Sequence, residues 1–529
     1  MTAEIGAADL RDLLRGDGEL ALIDVREELI FSQRHLLLAR SVPLSRFELK
    51  FVQLVPRRAT PIVLCDDNDG LAARAAAILT RNGYANVAML KGGVDAWAAA
   101  GFELFSGVNV PSKAFGEFIE HAAGTPNIAA EDLERSFREG ADLVVLDSRP
   151  FDEYSRISIP SAVNVPGAEL VLRAREIAPS PETTVVVNCA GRTRSIIGAQ
   201  SLINAGLPNK VMALRNGTMG WSLAGFQCES GKNRRAPVAS AKTLSWARPA
   251  AKNVAQNCGV KTIDRATFET LRADGARTLY LFDVRDPAEY AAGHVSGAIS
   301  APGGQLVQAT DQYVGTLGAR IVLVDDAEVR AMMTASWLRQ MGWQDVFVLA
   351  AAGTETRWPE TPMLVTEARP AAAIDCTALH NLLQSDTASV VDLSLSRDYL
   401  KEHIPGAWFA IRARLDRALK KIPLRGTLVL TSENGVLARL AVAEAAALTD
   451  IPVRYLDGGN DAWRKAGYIL SSEPKNFADE AIDQWRKPYE RAGDTRAAMS
   501  EYLAWEVDLL PRVERDGSLH FSCIGASAH

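Results

Sequence analysis

Cysteine is scarce in this chain. Six thiols, Cys65, Cys189, Cys228, Cys258, Cys376 and Cys523, are spread through 529 residues without a CxxC pair, which excludes a disulfide framework and predicts a reducing compartment. Histidine is nearly as rare, and the seven present lack any HxxxH spacing, so no metal and no other cofactor is expected. Long apolar runs are missing too. No stretch approaches the ~18 residues of a membrane span, and Met1 to Asp9 lack a basic region followed by an apolar one. The expected location is cytoplasmic, with no membrane partner. Positive charge is not in excess either: 58 Lys and Arg stand against 64 Asp and Glu, net -6, which gives no reason to expect nucleic acid as a partner.

What is present is an ordinary globular composition, 47% hydrophobic and 23% charged, over a length that suits about three or four domains. Internal repetition is the dominant signal. A strand-like segment ending in aspartate recurs at Leu22-Ile23-Asp24, Val145-Leu146-Asp147, Leu281-Phe282-Asp283 and Val390-Val391-Asp392, and in the first three copies an arginine follows two places on, as Arg26, Arg149 and Arg285. A turn-forming stretch comes next, clearest as Gly293-His294-Val295-Ser296-Gly297-Ala298 and His403-Ile404-Pro405-Gly406-Ala407. A second apolar triplet follows at Ile62-Val63-Leu64, Val185-Val186-Val187, Ile321-Val322-Leu323 and Leu428-Val429-Leu430. Each copy closes on a tryptophan: Trp97, Trp221, Trp358 or Trp463. Short buried strands alternating with helices predict βα units on parallel sheets.

Each unit resembles a rhodanese domain, on the Asp-x-Arg pair, the Gly-His-Ile-Pro-Gly-Ala-type turn, the cysteine loop of the second copy and the closing Gly-Gly-x-x-x-Trp, best seen as Gly458-Gly459-Asn460-Asp461-Ala462-Trp463. The fold class this implies is α/β: four tandem rhodanese-like domains, each a central parallel sheet flanked by helices, plus a helical C-terminal extension. The expected boundaries are 5–106, 128–232, 258–362 and 372–472, with the extension at 473–529. Residues 233–257 read as a linker separating two pairs of units, and residues 105–127 as a bridge within the first pair. Helix-like stretches around Glu480 to Trp485 and Ala497 to Leu510 suggest that the tail braces the body.

Register identifies the copy that can do chemistry. From the strand aspartate, Asp24 to Asp66, Asp147 to Cys189 and Asp283 to Asp325 are each 42 residues, and Asp392 to Ser432 is 40. Only the second copy therefore has a thiol at the loop position. Cys65 sits one place early, where alternation along the strand turns it to the other face. The loop Cys189-Ala190-Gly191-Arg192-Thr193-Arg194 carries two arginines and no acid, whereas the first copy offers Asp66, Asp67 and Asp69 and the third Asp325, Asp326 and Glu328. A thiol at a strand end, before a helix N-terminus and beside two cations, is suited to being held as a thiolate.

The resemblance implies sulfur transfer. Cys189 is the expected nucleophile, taking the outer sulfur of a small anionic donor such as thiosulfate as a persulfide and passing it to cyanide, a cellular thiol or a sulfur carrier. Ala190, Gly191, Arg192, Thr193 and Arg194 form the expected substrate-binding loop, with the guanidinium groups of Arg192 and Arg194 receiving the donor's oxyanion. Asp147 and Arg149 are expected to be structural near the site. 3-Mercaptopyruvate is the alternative donor, and a partner-binding regulatory protein the alternative role for degenerate copies. A phosphatase is disfavoured, because such cysteine loops place five residues between cysteine and arginine whereas four separate Cys189 from Arg194.

Overall fold

The structure, a computed structural model, describes residues 2–350, 363–364, 372–491 and 493–524. The four repeats fold as four five-stranded sheets with the same strand order. In the second repeat, Asn127–Ile128 lies at one edge, followed by Val211–Leu214, Thr184–Asn188, Leu143–Asp147 and finally Val163–Asn164. All neighbours run parallel, with Val186 opposite Val145 on one side and Met212 on the other. Val185, Val186 and Val187 are fully buried, as a strand covered on both faces requires. The α/β class and the four parallel sheets agree with the sequence reading.

The recurring polar residues tie each sheet to its loops. Arg149 forks onto Asp147 at 2.8 and 2.7 Å and donates to the Ile157 carbonyl at 2.7 Å. Arg26 repeats this on Asp24 and the Arg34 carbonyl, and Arg285 on Asp283 and the Gly293 carbonyl. In the fourth repeat, which lacks the arginine, Asp392 accepts from the Ser394 backbone N–H and the Asn460 amide instead. The closing tryptophans each donate an indole N–H six residues onward: Trp97 to the Glu103 carbonyl, Trp221 to Gln227 and Trp463 to Ile469. Trp358 lies outside the described residues.

The chain divides into two compact units, and the division is not the one the sequence suggested. One unit comprises Met1–Leu10, Ala21–Val108 and Pro362–Trp485, and so holds the first and fourth repeats. Its core joins Phe47, Phe51 and Leu64 to Ile404, Phe409 and Val429, and Arg412 bridges both oxygens of buried Glu48 at 2.7 and 2.8 Å. The other comprises Arg11–Leu20, Asn109–Thr361 and Arg486–His529, and holds the second and third repeats. Here Leu146, Val187 and Leu202 share a core with Phe282, Leu323 and Leu338. The Gly304 and Gly167 backbones nearly touch; a Cβ on Gly304 would sit 2.9 Å from the Gly167 nitrogen.

The stretch read as a linker, 233–257, belongs to that second core. Ser240 caps a helix over Ala241–Asn257 by accepting from the Thr243 N–H, and Ala247, Ala251 and Val254 are buried among residues of both repeats. Residues 480–485 form no helix; the Ile482 carbonyl instead accepts from the Leu29 N–H. The later tail does form one, over Thr495–Asp516, started by Asp494 accepting from the Arg496 and Ala497 N–H groups and stopped at Gly517 with φ +70°.

Candidate active site

Cys189 follows directly on the central strand Thr184–Asn188 and precedes the helix Thr193–Asn204, at the carboxyl end of the sheet, where open α/β folds form their sites. The loop rests on the closing motif of its own repeat. Gly217 adopts φ +54°, and a Cβ there would meet the Cys189 carbonyl at 2.5 Å and that of Gly191 at 2.7 Å. Glycine alone lets the next residues reach the loop: Thr218 N–H donates to the Cys189 carbonyl at 2.8 Å and Met219 N–H to that of Ala190 at 3.0 Å. Asn188 links this support to the strand by donating to Asp147 at 2.9 Å and to Thr218 Oγ1 at 3.1 Å.

With those carbonyls fixed, the backbone donors of the loop are left over. Among the described residues, none of the N–H groups from Ala190 through Arg194 has a hydrogen-bond acceptor. A run of free N–H groups at a helix start is an anion cradle. The Cys189 thiol, 2% exposed, donates to Ser195 Oγ at 3.4 Å, and Ser195 Oγ donates in turn to the Arg192 carbonyl at 2.8 Å.

At the same position each of the other repeats carries an oxygen that accepts from its own loop or helix start. Asp66 accepts from the Asn68 and Ala72 N–H groups, both at 2.9 Å. Asp325 accepts from Arg330 N–H at 3.1 Å and Ser432 Oγ from Ala438 N–H at 3.3 Å. Cys65 ends its strand, buried, with its thiol donating to the Ile23 carbonyl at 3.6 Å. Burial, with Asp24 adding to it, pushes that thiol well up. Burial also raises Cys228, Cys376 and Cys523, and takes Cys258 to about 12.

Four carboxylates surround the loop that in sequence carries only cations. Arg192 forks onto Glu117 at 2.7 Å through two nitrogens and also binds Glu120 and, at 3.1 Å, Asn216. Its guanidinium thus anchors the loop to the helix Val110–Ala123. Arg194 pairs with Glu153 at 2.9 Å and donates to Gln305 of the third repeat at 3.2 Å. Lys487 reaches the same Glu153 oxygen at 2.9 Å. Burial alone would raise the Glu153 carboxyl; the two cations outweigh it and hold it well below the usual carboxylate range. Thr193 packs on Gly116 of the 110–123 helix, its Cγ2 2.8 Å from where a Cβ would be.

The C-terminal residues close the site. Met499 and Leu503 pack on Ala190 and Met219, with Tyr489 and Tyr502 beside them. Glu506, fully buried, accepts from Lys113 at 2.6 Å and Tyr502 at 3.1 Å. Its other oxygen has no partner and would lie 2.8 Å from a Cβ on Gly191, so any larger residue there would displace the carboxylate. Glu153, Glu117, Lys113, Gln305, Lys487, Tyr489 and Glu506 were not found from sequence. They reach the loop from distant parts of the chain, and none carries a local signal.

The rhodanese-like domain family matches residues 6–100, 129–224, 265–352 and 375–466, and the chain belongs to that family. It is similar along its whole length to the crystal structure of thiosulfate sulfurtransferase from Pseudomonas aeruginosa, with 49% identity, 99% of this chain and 100% of the other covered, and a TM-score of 0.95. In general class it is a sulfurtransferase. Two Bacillus subtilis (strain 168) proteins match smaller parts: YrkF is 25% identical over 137 residues, 24% of this chain and 72% of YrkF, and the uncharacterized YqhL is 38% identical over 76 residues, 14% of this chain and 59% of YqhL. Among the described residues no helix is long and apolar enough to cross a membrane, and no group of three or more His, Cys, Asp or Glu could hold a metal.

Proposed function

We propose that the chain moves sulfane sulfur from thiosulfate to a thiophilic acceptor through a persulfide on Cys189. The observation that carries this reading is the loop: Cys189 is a thiol followed by five consecutive N–H groups without acceptors, while the residue at its position in each other repeat is an oxygen acceptor turned onto its own chain, Asp66 taking the N–H groups of Asn68 and Ala72, Asp325 that of Arg330 and Ser432 that of Ala438. Free donors around a strand-end sulfur suit a terminal persulfide anion, whose charge needs what the protein does not already neutralise. The second repeat is then the reacting one and the other three are degenerate.

In the first half-reaction the Cys189 thiolate attacks the outer sulfur of thiosulfate. The donor's S–S bond breaks, its electron pair leaves with sulfite, and a Cys189–S–S anion remains. In the second, cyanide, a low-molecular-weight thiol or a sulfur carrier takes the outer sulfur and returns the thiolate, so the kinetics are ping-pong. Arg194 is the guanidinium offered to the donor. Arg192, held by Glu117, Glu120 and Asn216, fixes the loop, and Asp147 and Arg149 hold the strand end. With four carboxylates balancing the loop, the preference for thiosulfate over 3-mercaptopyruvate leans on the full-length relative rather than on net charge. The test is steady-state kinetics with both donors at one pH, alongside mass spectrometry of the Cys189 peptide; sulfur transfer that survives Cys189→Ser overturns the reading.

A further inference from the structure

We propose that Tyr489, brought to the site by the C-terminal segment, is a donor-binding residue whose phenol O–H receives a sulfonate oxygen of thiosulfate alongside Arg194 and the free N–H of Arg149. This rests on the thiosulfate reading above and assigns that site a residue from outside the rhodanese-like repeats.

Three independent observations meet at this residue. First, position: Tyr489 is partly buried and packs against the cluster of Met499 and Leu503 with Ala190 and Met219, the residues on either side of the loop-to-motif hydrogen bond. Its hydroxyl lies within electrostatic reach of Glu153, Arg194 and Arg149, and Arg194 within reach of the Cys189 thiol. Second, unused capacity: among the described residues the Tyr489 hydroxyl has no hydrogen-bond partner, and burial pushes its ionisation up, so it stays a donor. A neutral phenol can meet an oxyanion without the repulsion a phenolate would bring. Third, a buried cation nearby is incompletely used. Arg149 is 0% exposed and its Nη1 has no partner, although a buried guanidinium N–H is costly to leave unpaired.

The segment is held where this role needs it. Pro488–Glu490 forms a short turn of helix, Glu490 pairs with Arg156 at 2.5 Å, and Lys487 shares one Glu153 oxygen with Arg194. Arg194 spends Nη1 and Nη2 on Glu153 and Gln305, and among the described residues its Nε has no acceptor, which leaves that N–H for a donor. The chemistry is unchanged by Tyr489: the Cys189 sulfur bonds to the outer sulfur, the thiosulfate S–S bond breaks, and sulfite departs with the electron pair. The phenol keeps its proton throughout.

The experiment compares full-length wild type with Tyr489→Phe, which removes one oxygen and keeps the ring, using thiosulfate as donor, cyanide as acceptor and sulfite as product inhibitor. The KM for thiosulfate and the inhibition constant for sulfite are both expected to rise about tenfold, the loss of one hydrogen bond to a charged group, while kcat and the KM for cyanide stay within about twofold. Urea melts of wild type and Tyr489→Phe control for loosening of the segment and are expected to coincide. Unchanged constants in Tyr489→Phe overturn the proposal, as does an equal rise in the KM for cyanide. If wild-type protein gains no sulfur on Cys189 from thiosulfate, the functional reading itself fails; if it does and Tyr489→Phe binds thiosulfate and sulfite as wild type does, only this inference fails.

Discussion

Replacing Gly217 with alanine tests the geometry of the site without touching its chemistry. Gly217 sits at φ +54°, and its Cβ would approach the carbonyl oxygens of Cys189 and Gly191 at 2.5 and 2.7 Å, roughly 0.7 to 0.9 Å inside ordinary contact of about 3.4 Å. These are backbone atoms, so no rotamer relieves the clash and the loop must move. The left-handed backbone costs about 1–2 kcal/mol for a residue with a Cβ, and overpacking adds about 1–3 kcal/mol. A loop displaced by nearly 1 Å is expected to lose about a hundredfold in kcat/KM. The equivalents Gly93 and Gly459 provide the control: at φ +64° and +59°, a Cβ would meet the Asp66 carbonyl at 2.4 Å and the Ser432 carbonyl at 2.0 Å. Gly93→Ala and Gly459→Ala should destabilise their own repeats comparably yet leave thiosulfate:cyanide activity within about twofold. The assay is that rate, with denaturant unfolding beside it. A Gly217→Ala protein at wild-type activity, or an equal activity loss in folded Gly93→Ala or Gly459→Ala, refutes the assignment of chemistry to one loop.

Arg194→Met is expected to raise the KM for thiosulfate strongly, whereas Arg192→Met should chiefly lower stability, by about 3–5 kcal/mol, because Glu117 is left buried without its partner; donor titrations and urea melts separate the two. Glu506→Gln strands the Lys113 ammonium and should cost about as much, read by chemical denaturation. Glu153 titrates lower in the folded protein than its ordinary 4.5, so the unfolded chain binds more protons in that window and stability rises with pH across it. The stability gap between wild type and Glu153→Gln should therefore be full above about pH 4.5 and shrink as pH falls below it; a gap that widens on acidification contradicts the sign.

The parts legible in the sequence are those encoded locally. The Val185–Val187 triplet, the Asp147-x-Arg149 fork and the closing Gly-x-x-x-Trp are each defined within a few residues, and a strand ending in a loop has only one register, which is why counting from Asp147 reached Cys189. What escaped depends on distant chain. Ala247 and Ala251 present a small-residue face with Pro249 between them, a pattern that reads as linker because its burial needs two repeats already assembled. The pairing of repeats first with fourth and second with third has no local signature at all. The loop looked strongly cationic because Glu117, Glu153 and Glu506 lie 72, 36 and 317 residues from Cys189 in sequence and meet it only through tertiary packing. Nor could composition show that Tyr489 and Glu506, in a tail that carries no repeat, stand beside the Cys189 loop.

The central claim is that one loop of four carries sulfur. Incubating the full-length protein with thiosulfate, then measuring intact mass and mapping the Cys189, Cys65, Cys228, Cys258, Cys376 and Cys523 peptides without reduction, tests it directly. The account predicts one added sulfur per chain, on Cys189, removed by cyanide and absent from Cys189→Ser. Sulfur on any other cysteine, or persistence of turnover in Cys189→Ser, contradicts it.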